Sequence, residues 1–278
     1  MSGRTFVKVI AGGAVFSAGV ILGLQSTQQP KSTSEEESSR DTRWETSERI
    51  FKSIAREYDS KIRMDEFFMG ILLLRRWLVR QSTGLTLEVS SGTGRNLPYY
   101  DAEKVSSLIC SDTSREMLLE AAGKVDASTL PPVQFCIANV EHLTSDAPSM
   151  DVPFDETPFG PLLRHTTVFE PGKFDTVVDT FGLCSCSDPE QAIQEMVAAL
   201  KPGEGRLILL EHGKGTWGFV NRILDMQEEK HFQTWGCNFN RDIVKIIENQ
   251  PNLEIQHLQR WHFGTTVTCV ARKKAACC

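Results

Sequence analysis

The stretch LEVSSGTGRN, residues 87–96, joins a short apolar run that carries an acidic residue to a turn with two glycines. A strand that ends in such a turn and is followed by a helix lets backbone N–H groups approach a ligand, because glycine has no Cβ. Gly92 and Gly94 are followed by Leu97, where a dinucleotide-binding G-x-G-x-x-G motif has its third glycine. A pyrophosphate ligand is therefore disfavoured. The sequence also has no G-x-x-x-x-G-K-[ST] motif for a nucleoside triphosphate.

Two acidic residues are placed to bind the remaining candidate, a nucleoside ligand without phosphate groups. Glu88 lies on the first predicted strand, and Asp112 ends the second predicted strand 24 positions later. A carboxylate at that point can accept hydrogen bonds from both hydroxyl groups of a ribose. The alternative for Asp112 is a structural role as a helix cap beside Ser114.

The elements that would position these residues alternate between strands and helices from Trp44 onward. Short β-branched or aliphatic runs predict the strands LTLEVSS, VSSLICS, VQFCIA, FDTVVDTF and RLILLEH. Helices are predicted over residues 49–55 and 64–80. The second helix has apolar side chains at the spacing of a buried face, namely Phe67, Phe68, Ile71, Leu74 and Leu78.

A further helix and the C-terminal strands complete the pattern. Asp188 as N-cap, Pro189 at the first position and Gln191 in a capping box predict a helix that ends before Gly203. The segments LEIQHLQRW and TTVTCVARK are joined by HFG without a helix, so they must form an antiparallel hairpin at one edge of the sheet. We predict a doubly wound α/β fold with a mostly parallel seven-stranded sheet and an antiparallel C-terminal strand.

With these motifs the chain resembles the class I S-adenosylmethionine-dependent methyltransferases. Within them it resembles the branch of the ubiquinone and menaquinone ring methyltransferases, membrane-anchored thiol methyltransferases and mitochondrial inner-membrane methyltransferase-like proteins of fungi. The resemblance covers roughly residues 49–272 and is carried, in chain order, by IAREYD, LEVSSGTGRN, SDTSREML, ANVEHL, FDTVVDTFGLC, ALKPGEGRLILLEH and GCNFNRD. One glycine turn alone would be weak evidence, whereas the ordered set is specific.

The resemblance implies S-adenosyl-L-methionine as the cofactor, with a Rossmann-like methyltransferase fold. Glu88 would bind the amino group of the cofactor, and Asp112 would hold its ribose. Gly92 and Gly94 would leave room for its methionine part.

Three further residues are assigned to the cofactor by the same resemblance. Asn139 and Val140 would flank the adenine, and Tyr58 would close the pocket from the N-terminal helices. The structural alternatives are a turn former for Asn139 and a core aromatic for Tyr58. Ser90 stands where the family usually has its first motif glycine, and Asn139 replaces the usual Asp. An Asn keeps an acceptor and adds donors, so binding could persist with altered contacts.

A third departure from the family pattern is the long segment 144–172 before the fourth of the predicted strands. Loops longer than about 12–15 residues tend to be functional or disordered. The apolar side chains of this insertion favour a lid or a docking surface, and they are Phe154, Phe159, Leu162, Leu163 and Phe169.

Methyl transfer from a sulfonium is an in-line displacement that needs a positioned acceptor and, for some acceptors, removal of a proton. His212 is the first candidate base, because ligands of open α/β sheets lie beyond the carboxyl ends of the strands; His142 is the second. A lone histidine is more often structural. A quinone precursor would present an activated carbon, whereas a thiol needs only to form its thiolate. Residues 216–239 mix aromatic and polar side chains, which suits an amphipathic acceptor or, equally, a helix packed on the sheet.

The N-terminus predicts a membrane anchor. Residues 9–24 are apolar or small and follow Arg4 and Lys8, although a span normally needs roughly 20 residues. We predict a transmembrane segment within residues 1–24, a flexible polar linker over 25–43 and the methyltransferase-like domain over 44–278. A cleaved signal peptide is the alternative. The early basic stretch without acids suits mitochondrial import, so we place the protein in the inner mitochondrial membrane as a single-pass protein.

Composition restricts the partners and the metal chemistry. The formal charge of −6 argues against a nucleic-acid-coating protein. The eight cysteines contain no repeated C-x-x-C pair, so we interpret them as reduced thiols, most of them on strands, and predict no metal site. Cys184 and Cys186 would point to opposite faces of an extended segment. The terminal Cys277 and Cys278 resemble a prenylation ending without the C-a-a-X form.

Two functional hypotheses from different classes remain. The first is a membrane-anchored methyltransferase that acts on a small lipophilic or thiol acceptor. The second is a non-catalytic subunit that uses its anchor and the segment 144–172 to join an inner-membrane complex. Protein or RNA methylation is weakened by the absence of a basic tract and of an N/D-P-P-[YF] motif.

Overall fold

The computed structural model describes residues 33–144, 163–165 and 169–275. Its strands are β1 (Gly84–Val89), β2 (Val105–Asp112), β3 (Val133–Ile137), β4 (Leu163–His165), β5 (Thr176–Thr180), β6 (Arg206–His212), β7 (Leu253–Trp261) and β8 (Thr266–Lys273). They form one sheet with the order β4-β3-β2-β1-β5-β6-β8-β7. All seven strands predicted from the sequence are present.

Strands β1 to β6 run parallel, and β8 is antiparallel to both β6 and β7. The mostly parallel sheet and the C-terminal hairpin are thereby confirmed. The additional strand is β4, which pairs with β3 and belongs to the insertion 144–172. Most of that insertion, including Phe154, Phe159 and Leu162, lies outside the described residues.

The helices are α1 (Thr33–Phe68), α2 (Ile71–Val79), α3 (Arg115–Ala122), α4 (Pro189–Ala199), α5 (Gly218–Trp235) and α6 (Ile243–Glu248). Short 3-10 helices cover Leu97–Tyr99, Val140–His142 and His262–Gly264. The Asp188 carboxylate accepts a hydrogen bond from the N–H of Gln191 at 3.0 Å. The predicted cap of α4 is therefore confirmed.

Hydrophobic clusters cover both faces of the sheet. Leu87 of β1 packs with side chains of α4 and α6, such as Ile193 and Ile247. Leu108 of β2 packs with side chains of α2 and α3. Because the central strands are buried on both sides, as parallel strands usually are, their polar ends are held in a fixed geometry.

The predicted helix over residues 64–80 is wrong as a single helix. Gly70 has a left-handed backbone with φ 68° and separates α1 from α2, and a right-handed helix cannot continue through that conformation. Ile71 and Leu78 are buried as expected. Phe67 and Phe68, however, are 63% and 70% exposed. The break at Gly70 rotates the two phenylalanines away from the core face of α2.

The N-terminal helix starts earlier than expected. Residues 25–43 were expected to be a flexible linker, but α1 begins at Thr33. The side chain of Arg43 explains part of this difference. Its guanidinium pairs with Glu228 at 2.7 Å, donates to Asn238 at 2.8 Å and lies 4.1 Å from the ring centre of Phe232. These contacts hold this end of α1 on α5.

The predicted transmembrane segment, residues 9–24, lies outside the described residues. Among the helices that are described, none combines the length and the apolar composition needed to cross a membrane.

Candidate cofactor and acceptor site

A pocket opens at the carboxyl ends of β1, β2 and β5, with one wall contributed by α1. It encloses about 890 Å³, including its open mouth. Ligands of doubly wound sheets bind at this position, where the crossovers on the two sides of the first strand diverge. Five residues predicted to bind the cofactor line this pocket, and they are Tyr58, Glu88, Gly92, Asp112 and Val140.

The two glycines of the turn after β1 have different structural roles. Both have left-handed backbones, with φ 53° at Gly92 and φ 74° at Gly94. This conformation is unfavourable for residues that have a Cβ. A Cβ on Gly92 would meet only the backbone oxygen of Ser90, at 4.0 Å, so the absence of a side chain there leaves room in the pocket. A Cβ on Gly94 would lie 2.7 Å from Leu97 Cδ1 and 2.9 Å from Ala121 Cβ. Gly94 therefore allows close packing of the turn on α3.

Asp112 holds the glycine turn in place. One carboxylate oxygen accepts a hydrogen bond from the N–H of Gly92 and the other from the N–H of Ser114, both at 2.8 Å. Burial raises the pKa of Asp112, and these N–H groups oppose the shift. Each carboxylate oxygen can accept a second hydrogen bond. The helix cap of α3 is Ser114, whose side chain accepts a hydrogen bond from the N–H of Met117. The contacts of Asp112 with the turn are compatible with its predicted ribose-binding role.

Glu88 is buried beside the floor of the pocket. Its carboxylate accepts hydrogen bonds from Asn96 Nδ2 at 3.0 Å and from the hydroxyl of Tyr100 at 2.7 Å. Burial nevertheless raises the pKa of Glu88 to about 7. A cationic ligand group would favour its charged form, because an opposite charge lowers the pKa of a carboxyl group.

The turn accommodates Ser90 where the family pattern has glycine. Ser90 has φ 49°, a strained conformation for a residue with a Cβ. The space for its side chain comes from Gly182, whose own Cβ would lie 2.6 Å from the Cβ of Ser90 and closer still to Asp179 Oδ1. The glycine opposite the turn therefore compensates for the serine within it.

The far wall of the pocket comes from the segment after β3. Ala138 and Val140 line the pocket there. The side-chain oxygen of Asn139 accepts a hydrogen bond from the N–H of Glu141 at 2.9 Å and so caps the 3-10 helix Val140–His142. His142, the second candidate base, is exposed.

Comparison with known proteins agrees with this geometry. The family described as Methyltransferase domain matches residues 87–207. Methyltransferase OMS1, a mitochondrial protein of Saccharomyces cerevisiae, is 36% identical over 228 residues, which are 81% of this chain and 46% of that protein. The chain belongs to the class I S-adenosylmethionine-dependent methyltransferases. It spans less than half the length of the yeast relative.

Other relatives of this chain differ in the acceptor that their names indicate. The ubiquinone/menaquinone biosynthesis C-methyltransferase UbiE of Idiomarina loihiensis is 26% identical over 63% of this chain and 62% of that protein. The human thiol S-methyltransferase TMT1B is 36% identical over 31% of this chain and 35% of that protein. The solved complex of DhpI with SAH shares the fold, with a TM-score of 0.54 and 16% identity over 83% of this chain and 97% of that one.

A buried charge network beneath the pocket was not predicted from the sequence. Arg75 of α2 pairs with Glu66 of α1 at 2.7 Å. It also donates to Asn96 and to Thr180, both at 2.8 Å. Because Asn96 in turn binds Glu88, the network connects the N-terminal helices to the acid at the pocket floor.

Asp59, the last residue of the IAREYD motif, extends this connection to the glycine turn. It accepts hydrogen bonds from Thr93 Oγ1 at 2.6 Å and from Arg95 at 3.2 Å, and it pairs with Lys124. Arg95 also pairs with Glu66. The motif order indicated that these residues matter, but a single sequence does not reveal which charges meet.

Tyr58 lines the pocket between two other aromatic rings. Its ring centre lies 6.4 Å from Phe51 on α1 and 6.4 Å from Trp235 at the end of α5. Burial raises the pKa of its hydroxyl, which therefore stays protonated at neutral pH. Tyr58 thus lies where α1 meets α5, on the wall predicted for it.

Two carboxyl groups lie at the carboxyl ends of β5 and β6. Asp179 and Glu211 are fully buried, and their carboxyl groups interact with each other. Burial raises the pKa of Asp179 to about 7. Burial and the neighbouring Asp179 charge raise the pKa of Glu211 as well. The two groups therefore favour a state that retains a proton.

His212 follows this pair at the end of β6. Its ring lies 4.3 Å from the ring of Phe181, a residue that lines the pocket. Its Nδ1 atom is buried and has no hydrogen-bond partner among the described residues. His212 itself is not among the residues that line the pocket, so its role as the base stays a prediction.

The prediction that most of the cysteines lie on strands is wrong for the described residues. The six described cysteines are buried free thiols, but only Cys110, Cys136 and Cys269 lie on strands. Cys184 and Cys186 lie in the turn after β5 and not on an extended segment. Because of this turn, Cys184 approaches two residues that are distant in the sequence, His212 and Cys237.

Proposed function

We propose that this chain binds S-adenosyl-L-methionine and transfers its methyl group to a small acceptor. The observation that carries the proposal is that Glu88 and Asp112 line one pocket together with Gly92, whose N–H donates to Asp112. In the proposed complex, Glu88 binds the amino group of the cofactor and Asp112 binds its ribose. Asn139 and Val140 lie on the adenine side, Gly94 supports the turn, and Tyr58 closes the pocket.

The acceptor proposed for this site is lipophilic or a thiol. Apolar side chains are exposed on and beside α5, including Trp217, Phe219 and Met226. Trp217 contacts the ring of Phe263, and the neighbouring His262 lies 2.8 Å from the carbonyl of Met69 near the end of α1. Exposed apolar surface of this kind is typical of contact with a ligand, a partner or a membrane. His212 is the candidate for removing the acceptor's proton.

We further propose that residues 9–24 anchor this domain in the inner mitochondrial membrane. The apolar run and the preceding basic residues support the anchor, and the mitochondrial name of the yeast relative supports the compartment. Alkaline extraction of isolated mitochondria tests this placement, with a variant lacking residues 9–24 as control. Release of the full chain into the soluble fraction would contradict it.

The second candidate function is a non-catalytic subunit of an inner-membrane complex. The long insertion and Ser90 motivated that hypothesis. The compensation between Ser90 and Gly182 favours an intact cofactor site instead. A folded chain without cofactor binding would favour the second function.

Calorimetric titration of S-adenosylhomocysteine into the full chain tests the cofactor site. We expect binding to the wild type and at least about tenfold weaker binding to Asp112→Ala, since a hydrogen bond to a charged group contributes about 1.5–3 kcal/mol. The matched control is Asp126→Ala, which removes an exposed aspartate. Equal affinities of the two variants would contradict the role of Asp112.

A further inference from the structure

Three side chains from separate parts of the chain meet beside the part of the pocket that Phe181 and Ser185 line, which we call the acceptor side. Cys184 comes from the turn after β5, His212 from the end of β6 and Cys237 from the loop after α5. Their ligand atoms all lie within 4.8 Å of one another. The N–H of Asn238 donates to the carbonyl of Cys184 at 2.8 Å and holds the two cysteine-bearing loops together.

Two of the three groups are buried, and the third, His212, is half-buried. Cys184 and Cys237 are 1% and 6% exposed. The Nδ1 atom of His212 is buried without a hydrogen-bond partner among the described residues. A buried polar atom without a partner costs about 1–3 kcal/mol. An ion bound between the three side chains would give this nitrogen a partner.

The ligand types match one kind of metal. Two thiols and an imidazole form a set that binds zinc, and three protein ligands leave the fourth tetrahedral position open, as in catalytic zinc sites. Zinc–sulfur bonds of about 2.3 Å and zinc–nitrogen bonds of about 2.0 Å place neighbouring ligand atoms about 3.5–3.8 Å apart. Side-chain adjustments of about one ångström would therefore bring the cluster to coordination distance.

The cluster lies directly behind the wall of the methyltransferase pocket. The thiol of Cys184 donates to the carbonyl of Phe181 at 3.3 Å and lies 3.6 Å from Ser185 Oγ. Phe181 and Ser185 both line the pocket. A ligand on the open metal position would thus be a neighbour of the bound cofactor.

We propose that Cys184, His212 and Cys237 bind a zinc ion whose fourth position takes the sulfur of a thiol acceptor. This inference rests on the proposed methyltransferase function and selects the thiol among its acceptors. His212 then acts as a metal ligand, and the metal supplies the activation for which His212 was considered as a base.

The proposed step balances in atoms and charge. The acceptor thiol binds zinc and releases its proton to solvent, since metal-bound thiols are deprotonated. A sulfur lone pair of the bound thiolate attacks the methyl carbon of the cofactor and forms the new carbon–sulfur bond. The bond from that carbon to the sulfonium breaks, and its electron pair stays on the sulfur of S-adenosylhomocysteine. The product thioether, a weak ligand, leaves the metal.

The first experiment measures metal binding independently of catalysis. We purify the full chain under reducing conditions, determine its zinc content, remove the metal and titrate Co²⁺ while recording the visible spectrum. We expect one metal per chain and a thiolate-to-cobalt charge-transfer band. Cys184→Ala and Cys237→Ala should lose more affinity than the roughly 10–100-fold cost of losing an outer-shell partner.

Two controls separate ligation from folding. Cys136→Ala and Cys269→Ala remove buried free thiols of β3 and β8 that lie outside the cluster, and they should keep the cobalt spectrum. Circular dichroism verifies that each variant is folded. Folded wild type without zinc and without a cobalt spectrum would overturn the metal site, as would an unchanged spectrum in both cluster variants.

The thiol role has its own readout. Adding ethanethiol to the cobalt protein without cofactor should change the spectrum, whereas phenol should not. A cobalt spectrum that does not change on addition of ethanethiol would overturn the thiol-binding role, and the metal site would then be structural. A disulfide between Cys184 and Cys237 that persists in protein purified under reducing conditions would overturn both the metal site and the thiol-binding role. Titration of S-adenosylhomocysteine into the same sample distinguishes failure of the metal site from failure of the cofactor site.

Discussion

The cofactor side and the acceptor side of the pocket are built in different ways. On the cofactor side, Asp112 and Glu88 have hydrogen-bond partners within 20 residues in the chain. On the acceptor side, Cys184, His212 and Cys237 meet from distant segments, and Nδ1 of His212 has no hydrogen-bond partner among the described residues. On the first side the two acids therefore already have protein partners, whereas on the second side a ring nitrogen is left to interact with a ligand or an ion.

The N-terminal helix α1 connects the two sides. Arg43, near its start, contacts α5 on the acceptor side, and Asp59 and Glu66, near its end, contact the glycine turn and Arg75 on the cofactor side. Changes at four positions test this difference between the two sides, and they are given from the largest expected effect to the smallest.

Removal of Arg75 should have the largest effect. Arg75→Met leaves the buried Glu66 without one of its two cationic partners, and breaking a buried pair typically costs about 3–5 kcal/mol. Urea unfolding should show a loss of this size. Arg76→Met, an exposed neighbour on the same helix, is the control. A similar loss in both variants would show that the network does not stabilise the cofactor side.

Gly182→Ala should have the next largest effect. The added Cβ would lie 2.6 Å from the Cβ of Ser90, and overpacking typically costs about 1–3 kcal/mol. We expect lower stability and weaker binding of S-adenosylhomocysteine. Gly218→Ala, where a Cβ meets nothing within 4 Å, should leave both unchanged. Full binding by Gly182→Ala would show that Ser90 needs no compensation.

Cofactor affinity should rise with pH because of Glu88. Its pKa is raised to about 7 by burial, so between pH 6 and pH 8 the ionised fraction grows about tenfold, and affinity for the cationic amino group should grow similarly. Glu88→Gln should flatten this dependence in calorimetric titrations.

The raised pKa of Glu88 has the opposite effect on the stability of the unliganded protein, which should fall as pH rises. The pKa of Glu88 is higher in the folded chain than in the unfolded chain, so the folded state retains more protons between the two values. The unliganded protein should therefore lose stability as pH rises through about 7. An affinity that falls over this range would contradict the role of Glu88.

Arg43→Ala should have the smallest effect. The guanidinium contacts Glu228 and the ring of Phe232 while about one third of it remains exposed, and such pairs contribute about 1 kcal/mol or less. We expect a small loss of stability and an unchanged affinity for S-adenosylhomocysteine. Lys52→Ala, which removes an exposed pair within α1, is the control. A large loss of cofactor affinity would show that the two sides are coupled through α1.

Local patterns in the sequence predicted much of the fold. The seven strands, the C-terminal hairpin and the cap at Asp188 follow from apolar periodicity and from capping residues, which act over a few positions. The order of the motifs also identified most of the pocket residues. The same reasoning missed the break at Gly70, because an apolar helical pattern continues on both sides of that glycine.

The acceptor side depended on the three-dimensional packing. Cys184, His212 and Cys237 carry no recognisable spacing, and their meeting follows from the turn after β5 and from the loop that Asn238 holds against it. The partners of Arg75 and Asp59 are likewise set by how α1 and α2 dock on the sheet. Short-range preferences are encoded in neighbouring residues, whereas contacts between distant segments depend on the packing of the whole domain.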